Sequence, residues 1–172
     1  MAQTWTAYNP GVVFAAGKNM GAILNAHAVE LLKIRRVGLL NSQTAGVAGV
    51  VCLMELRRYT AASFGVAPTA IVPVAHDTTN VLPAAATYGY AGTPVGVSEV
   101  LRRVWWSSDE PAVGNGTVDE IETFVPLNII FDAGYGEANV QPLTLRQDQM
   151  VSVWNTAGAV GLLDCWLEFT KE

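Results

Sequence analysis

Ionisable side chains are scarce in this chain. Only 15% of its residues are Asp, Glu, Lys or Arg, against about a quarter in an average soluble domain. With 51% hydrophobic residues and a mean hydropathy of +0.28, intrinsic disorder is excluded, since that needs much charge and few apolar groups. Long apolar runs are missing too. No window reaches the 18 or so uninterrupted apolar residues of a membrane-spanning helix. The opening Met-Ala-Gln-Thr-Trp-Thr has no basic segment leading into an apolar one, so no signal peptide is expected.

Other absences narrow the chemistry. Basic charge is in the minority: the net charge is −5 and the pI about 5.0, which argues against generic nucleic-acid binding through phosphate neutralisation. Two cysteines cannot form a secreted disulfide framework. Cys52 and Cys165 both sit in apolar runs and read as core thiols, and whether they pair depends on a separation that sequence does not contain. The two histidines, His27 and His76, lie far apart with no ligand spacing, so no metal is expected. His76-Asp77 has the residue types of half an acid–base pair, but no serine has a nucleophile-elbow context and a loop or Asx-turn role is the better reading. No catalytic residue and no cofactor is expected, and the chain reads as a protein other than an enzyme.

What is present is β-like. The 16 glycines and 8 prolines punctuate short runs rich in Val, Ile, Leu and aromatics. The runs predict strands at Thr4–Tyr8, Val12–Ala15, Met20–Asn25, Leu31–Leu40, Val47–Tyr59, Ala70–Ala75, Val97–Trp106, Thr117–Phe131, Leu143–Leu145, Met150–Asn155 and Val160–Thr170. Met20 to Leu32 has some helical character, but Asn25-Ala26-His27-Ala28 reads as a turn between two strands. Asn115-Gly116 is a two-residue hairpin signal, and Asp77 to Pro94 reads as one long surface loop. In the last strand, alternation puts Leu163, Cys165, Leu167 and Phe169 on one face and Asp164, Trp166 and Glu168 on the other. The 172 residues, 18.3 kDa, suit a single all-β domain built as a sandwich or barrel. Residues 1–18 are expected to be an N-terminal arm or first strand, and residues 19–172 the sandwich.

The arginines are unusually placed. Six of the seven form doublets inside strands, Arg35-Arg36, Arg57-Arg58 and Arg102-Arg103. Neighbours in a strand point to opposite faces, so each doublet is expected to send one guanidinium to each side of its sheet. One reading is inter-subunit ion pairing with Glu55, Glu99, Asp164 or Glu168; the other is a solvated face whose stems cover apolar neighbours. The acidic cluster Asp109-Glu110 and Asp119-Glu120-x-Glu122 fits neither a two-carboxylate cleft nor an EF-hand loop. Trp105 and Trp106 are adjacent and must face opposite ways, while Trp5, Trp154 and Trp166 complete the set of five. Sugar binding would need an exposed aromatic with flanking polar groups, for which Tyr88, Tyr90 and Tyr135 in the Gly-rich loops are candidates.

The C-terminal third reads Pro142-Leu143-Thr144-Leu145-Arg146-Gln147-Asp148-Gln149, then Val151-Ser152-Val153-Trp154-Asn155, then Leu162 to Thr170. This order resembles the closing strands of tumour-necrosis-factor/C1q-like jelly rolls. With Val37-Gly38-Leu39-Leu40-Asn41 and Pro126 to Phe131, the chain from about Lys18 onward looks like small virion structural proteins of tailed bacteriophages. The resemblance implies an antiparallel jelly-roll β-sandwich, a homotrimer, and a capsid decoration (cement) or head-fibre role in the virion after assembly in the host cytoplasm. It implies as partners the chain itself and the major capsid protein or other virion proteins, with no nucleic acid and no membrane. The alternative is a carbohydrate- or receptor-binding jelly-roll module of a phage fibre or tail. The residues expected at an oligomer interface are Arg36, Arg58, Arg103, Trp166 and Glu168, with Met1 to Tyr8 as a contacting arm.

Overall fold

The computed structural model describes residues 3–13, 15–42, 51–107, 127–134, 141–156 and 161–172. Among them there are twelve strands and no helix. The strands are β1 (Gln3–Val13), β2 (Asn19–Asn25), β3 (Leu32–Asn41), β4 (Val51–Val66), β5 (Thr69–Ala70) and β6 (Val74–Ala75). They continue with β7 (Ala86–Tyr90), β8 (Thr93–Ser107), β9 (Leu127–Asp132), β10 (Leu143–Leu145), β11 (Gln149–Asn155) and β12 (Leu162–Lys171).

All pairings are antiparallel, in two sheets. Sheet A has the order β10-β3-β12-β1-β6, with β9 sharing the free edge of β3: β10 pairs with Leu32–Ile34 and β9 with Arg36–Leu40. Sheet B has the order β5-β7-β2-β11-β4-β8. The alternation expected of the last strand holds, since Leu163, Cys165, Leu167 and Phe169 are all fully buried. Phe169 of sheet A stacks on Trp5 of its own sheet at 5.6 Å between centroids and on Tyr88 of sheet B at 5.3 Å. Each such aromatic contact adds about 1 kcal/mol beyond simple burial, so this stack ties the layers into a sandwich. Cys165 is a core thiol as expected; burial, followed by the neighbouring Asp164, pushes it far above its ordinary range. The side chain of Cys52 and the Asn115-Gly116 turn lie outside the described residues.

Several expectations are corrected. The first two predicted strands are one strand, β1, interrupted by a bulge between Asn9 and Val12. Because β1 lies between β12 and β6, residues 3–13 are a strand of the sandwich, the second of the two forms expected of residues 1–18, and Gln3 to Tyr8 are not a free arm. The segment from Asp77 to Pro94 is more than a loop, since β7 lies within it at the flank of β2. Its Gly89 concealed the strand, because alternation lapses where a strand packs against close backbone: a Cβ there would meet the Thr69 carbonyl. The turn expected between Met20–Asn25 and Leu31–Leu40 is present, joining β2 to β3, and Asn25 makes it. Its side-chain Oδ1 accepts from the His27 backbone amide at 3.0 Å, and its side-chain Nδ2 donates to the Glu30 and Leu145 carbonyls.

The largest surprise is β4, which runs on well past Tyr59. Beyond β11 it stays paired with β8 and folds back across the outside of sheet B as a two-stranded ribbon. Ala62 and Phe64 of the ribbon pack on Ala22, Leu24, Tyr59 and Met150, and the Ala62 amide donates to the Asp148 carbonyl at 2.8 Å. The chain then continues to β5, which pairs with β7 on the far side of the sheet. At the bend the pairing register shifts between Thr60 and Ser63, Ala61 has φ +48°, and Gly96 has φ +138°. A Cβ on Gly96 would lie 2.7 Å from the Thr60 carbonyl oxygen, so only glycine fits there.

Candidate interaction surface

The ribbon covers part of the outside of sheet B, around Ala22, Leu24, Tyr59 and Met150, and among the described residues the outer face of sheet A carries no such cover. Its cross-strand register sets out two adjacent rows. One runs Tyr8, Trp166, Gly38 and Ile129 across β1, β12, β3 and β9. Tyr8 and Ile129, at the two ends of this row, are both more than 40% exposed. The second row runs Thr6, Glu168, Arg36 and Asp132. Here Arg36 pairs with Asp132 at 3.0 Å and with Glu168 at 3.9 Å, so one guanidinium bridges carboxylates from both neighbouring strands. The Gly134 amide and then Arg36 hold the Asp132 carboxyl below its usual range.

Local sequence explains each position. Gly38 has no side chain, so the Trp166 ring lies across it; a Cβ there would collide with three atoms of that ring. The bulge in β1 brings the Gly11 amide to Asp164 at 2.7 Å, and Asp164 also accepts the hydrogen bond of the Tyr8 hydroxyl. That bond, burial and the carboxylate charge together push the Tyr8 hydroxyl up to about 12. Beside the rows, His76 Nε2 meets the Thr6 hydroxyl at 2.8 Å. Asp77 makes an Asx turn with Thr79, the role read from sequence.

The five residues expected at an interface separate into two groups. Arg36, Trp166 and Glu168 come together on the outer face of sheet A. Arg58 and Arg103 lie on the β4–β8 side of the molecule, where Arg58 pairs with Glu99 and the Arg103 Nε donates to Glu55 at 2.8 Å. Glu55 is only 3% exposed and also accepts from the Arg57 Nε at 2.6 Å, while Arg57 lies 5.0 Å over the Trp154 ring.

The rule for the doublets holds twice and fails once. Arg57 and Arg103 project outward to Glu55, whereas Arg58 and Arg102 share register with the core residues Val151 and Leu56 and turn toward the gap between the sheets. Arg35 and Arg36 both lie on the outer side, because Ile34 and Val37 are the inward residues on either side of them. The pairing of β3 with β12 slips a register at this point, and Arg35 bonds Thr170, the outward neighbour of Glu168. A bulge of this kind leaves no composition signal, so alternation alone missed it.

A second exposed region escaped the sequence reading. Strand β8 is at the edge of sheet B among the described residues, and Val95, Val97, Val100, Leu101 and Trp105 along it are exposed. Trp105 is 69% exposed and Trp106 3%, the opposition expected of neighbours in a strand.

No protein-family model, curated protein or solved structure matches the chain.

The aromatics considered for sugar binding are poorly placed for it. Tyr88 is buried against Phe169, Tyr90 is half-buried, and Tyr135 lies outside the described residues, as do the carboxylates from Asp109 to Glu122. Among the described residues, no group of three or more His, Cys, Asp or Glu side chains could hold a metal ion, and no helix is long and apolar enough to cross a membrane.

Proposed function

We propose that this chain is a jelly-roll structural protein of a phage virion, a homotrimeric capsid decoration protein that stabilises the assembled shell. The fold part of this reading is supported by strand order. Numbering the eight long-range strands β1, β2, β3, β4, β8, β9, β11 and β12 as one to eight, sheet A follows the order one, eight, three, six and sheet B the order two, seven, four, five. A jelly roll winds its two Greek keys in that alternation.

The observation that carries the assembly part is the pair of separate apolar exposures. Sheet A presents the exposed Tyr8 and Ile129, with the half-buried Trp166 between them, beside a bridged row of charges, and β8 presents Val95, Val97 and Trp105 elsewhere. A two-fold dimer needs one self-complementary patch, whereas a closed ring needs two different surfaces that meet head to tail. Two distinct patches on a chain this poor in charge favour the ring. Edge strands left bare also invite pairing with a second chain, and burial of β8 in a closed ring removes that liability. Decoration then strengthens a shell by mass action, since the protein binds the finished lattice and not its unfolded subunits.

Light scattering coupled to size exclusion tests the first step. A mass near three times 18.3 kDa at micromolar concentration is expected. A monomer under those conditions overturns the assembly reading, and a trimer that fails to bind purified phage capsids overturns the decoration role.

A further inference from the structure

At the open side of the sandwich, where β8 of sheet B faces β9 and β10 of sheet A, lies a groove of about 460 Å³. Three of the seven arginines converge on it: Arg58, Arg102 and Arg146. In a chain with a net charge of −5, that concentration of positive charge stands out. Arg58 is partnered by Glu99, but among the described residues neither Arg102 nor Arg146 has an ion pair. Arg102 is aimed there by a bulge, because Leu56 pairs with Arg102 and Arg57 with Val100, leaving Leu101 as the extra residue. Its guanidinium lies 5.9 Å from the centre of the Phe131 ring, on the opposite sheet. The rest of the lining mixes Leu101, Phe131, Pro142 and Leu143 with Gln141, Thr144 and Gln149.

We propose that this groove binds a carboxylate-bearing sugar of the uronic or nonulosonic acid class. Planar guanidinium forks match a carboxylate in two parallel hydrogen bonds, and two arginines without a carboxylate partner are available to make them. A bare inorganic anion would use the forks and leave most of the groove empty. A volume in the range of small-ligand sites, with an apolar wall and side-chain amides, suits a ring that has both a C–H face and hydroxyls. Tyr88 and Tyr90 are not among the residues that line the groove. The groove lies apart from the outer face of sheet A, so this proposal stands whether or not the chain is a virion protein.

Titration calorimetry on the full-length chain tests it, with glucuronic acid and N-acetylneuraminic acid as probes and glucose, inorganic phosphate and a glutamate-rich peptide as comparisons. Both acid sugars are expected to bind, and glucose and phosphate to bind about tenfold more weakly or worse. Arg102→Gln and Arg146→Gln should each weaken the acid sugars by about tenfold or more, the worth of a charge-assisted hydrogen bond. Arg35→Gln, on the outer side of sheet A, should leave them unchanged. Thermal melts confirm that each variant is folded, and Arg102→Lys, which keeps the charge and loses the fork, should fall between wild type and Arg102→Gln. Three results overturn the proposal: no binding of either acid sugar, phosphate or the peptide binding as well as they do, or arginine variants that bind like wild type.

Discussion

Trp166 lies across Gly38, its direct cross-strand partner, and the ring fills the space that any side chain at that position would need. The contact joins the two middle strands of sheet A at the centre of the surface proposed to meet neighbouring subunits. Gly38→Ala should therefore lift the ring out of its seat. The fold should lose about 1–3 kcal/mol, the usual cost of forcing extra volume into a packed site. Trimer dissociation, read by sedimentation over a dilution series, should move to higher protein concentration. A variant that melts and associates like wild type would show that the seat has no role.

Glu55 supports a prediction about stability rather than assembly. It is a buried carboxylate held by two guanidiniums, one of which is mostly exposed, with Arg103 at 63% and Arg57 at 22% side-chain exposure. Removing the better-buried partner should cost more. Arg57→Ala should destabilise the chain by about 3 kcal/mol in urea unfolding at neutral pH, because it strips a buried charge and uncovers Trp154. Arg103→Ala should cost about 1 kcal/mol or less. The reverse order would mean that Glu55 depends on the exposed arginine.

Tyr8 predicts an alkaline signature. Its hydroxyl is raised from 10.0 to about 12 by the hydrogen bond to Asp164, by burial and by the charge of that carboxylate. A folded-state value above the unfolded one favours the protonated form in the native state. The resulting stabilisation is thus complete below pH 10 and is lost as the pH rises from 10 toward 12. The difference in tyrosinate absorbance between wild type and Tyr8→Phe should titrate near pH 12. A Tyr8 that ionises at the ordinary value would rule out the Asp164 bond in solution.

Gly96 is the test of the ribbon. Gly96→Ala sets a side chain against the Thr60 carbonyl at φ +138°, a strain of about 1–3 kcal/mol. The ribbon should loosen, and the Ala62 amide, bonded to the Asp148 carbonyl, should exchange with solvent much faster. Unchanged exchange would show that the bend tolerates a side chain.

Much of the fold was legible in the sequence, for specific reasons. Half-buried strands such as β12 alternate strictly, so Leu163 to Phe169 declared their faces, and Asn25 marked a turn because its side chain bonds the backbone on both sides of it. The ribbon could not be read, because Tyr59, Ala62 and Phe64 are apolar on the outward face and become buried only when the chain folds back on itself. For the same reason the five arginine, tryptophan and glutamate positions on which interface contact was expected fell on two surfaces: β8 and β12 belong to different sheets, and sheet membership is a long-range property. Arg102 and Arg146 are 44 positions apart in the chain, and only the meeting of β8 with β10 brings them to one groove.

The ribbon over sheet B also makes the subunit lopsided. A sandwich with two bare sides can be stacked either way up; one whose second layer carries its own cover has a top and a bottom. Copies joined head to tail, the uncovered layer of one against the β8 edge of the next, all carry that cover in the same sense about the ring axis, which gives such a ring two unlike faces before a second protein takes part.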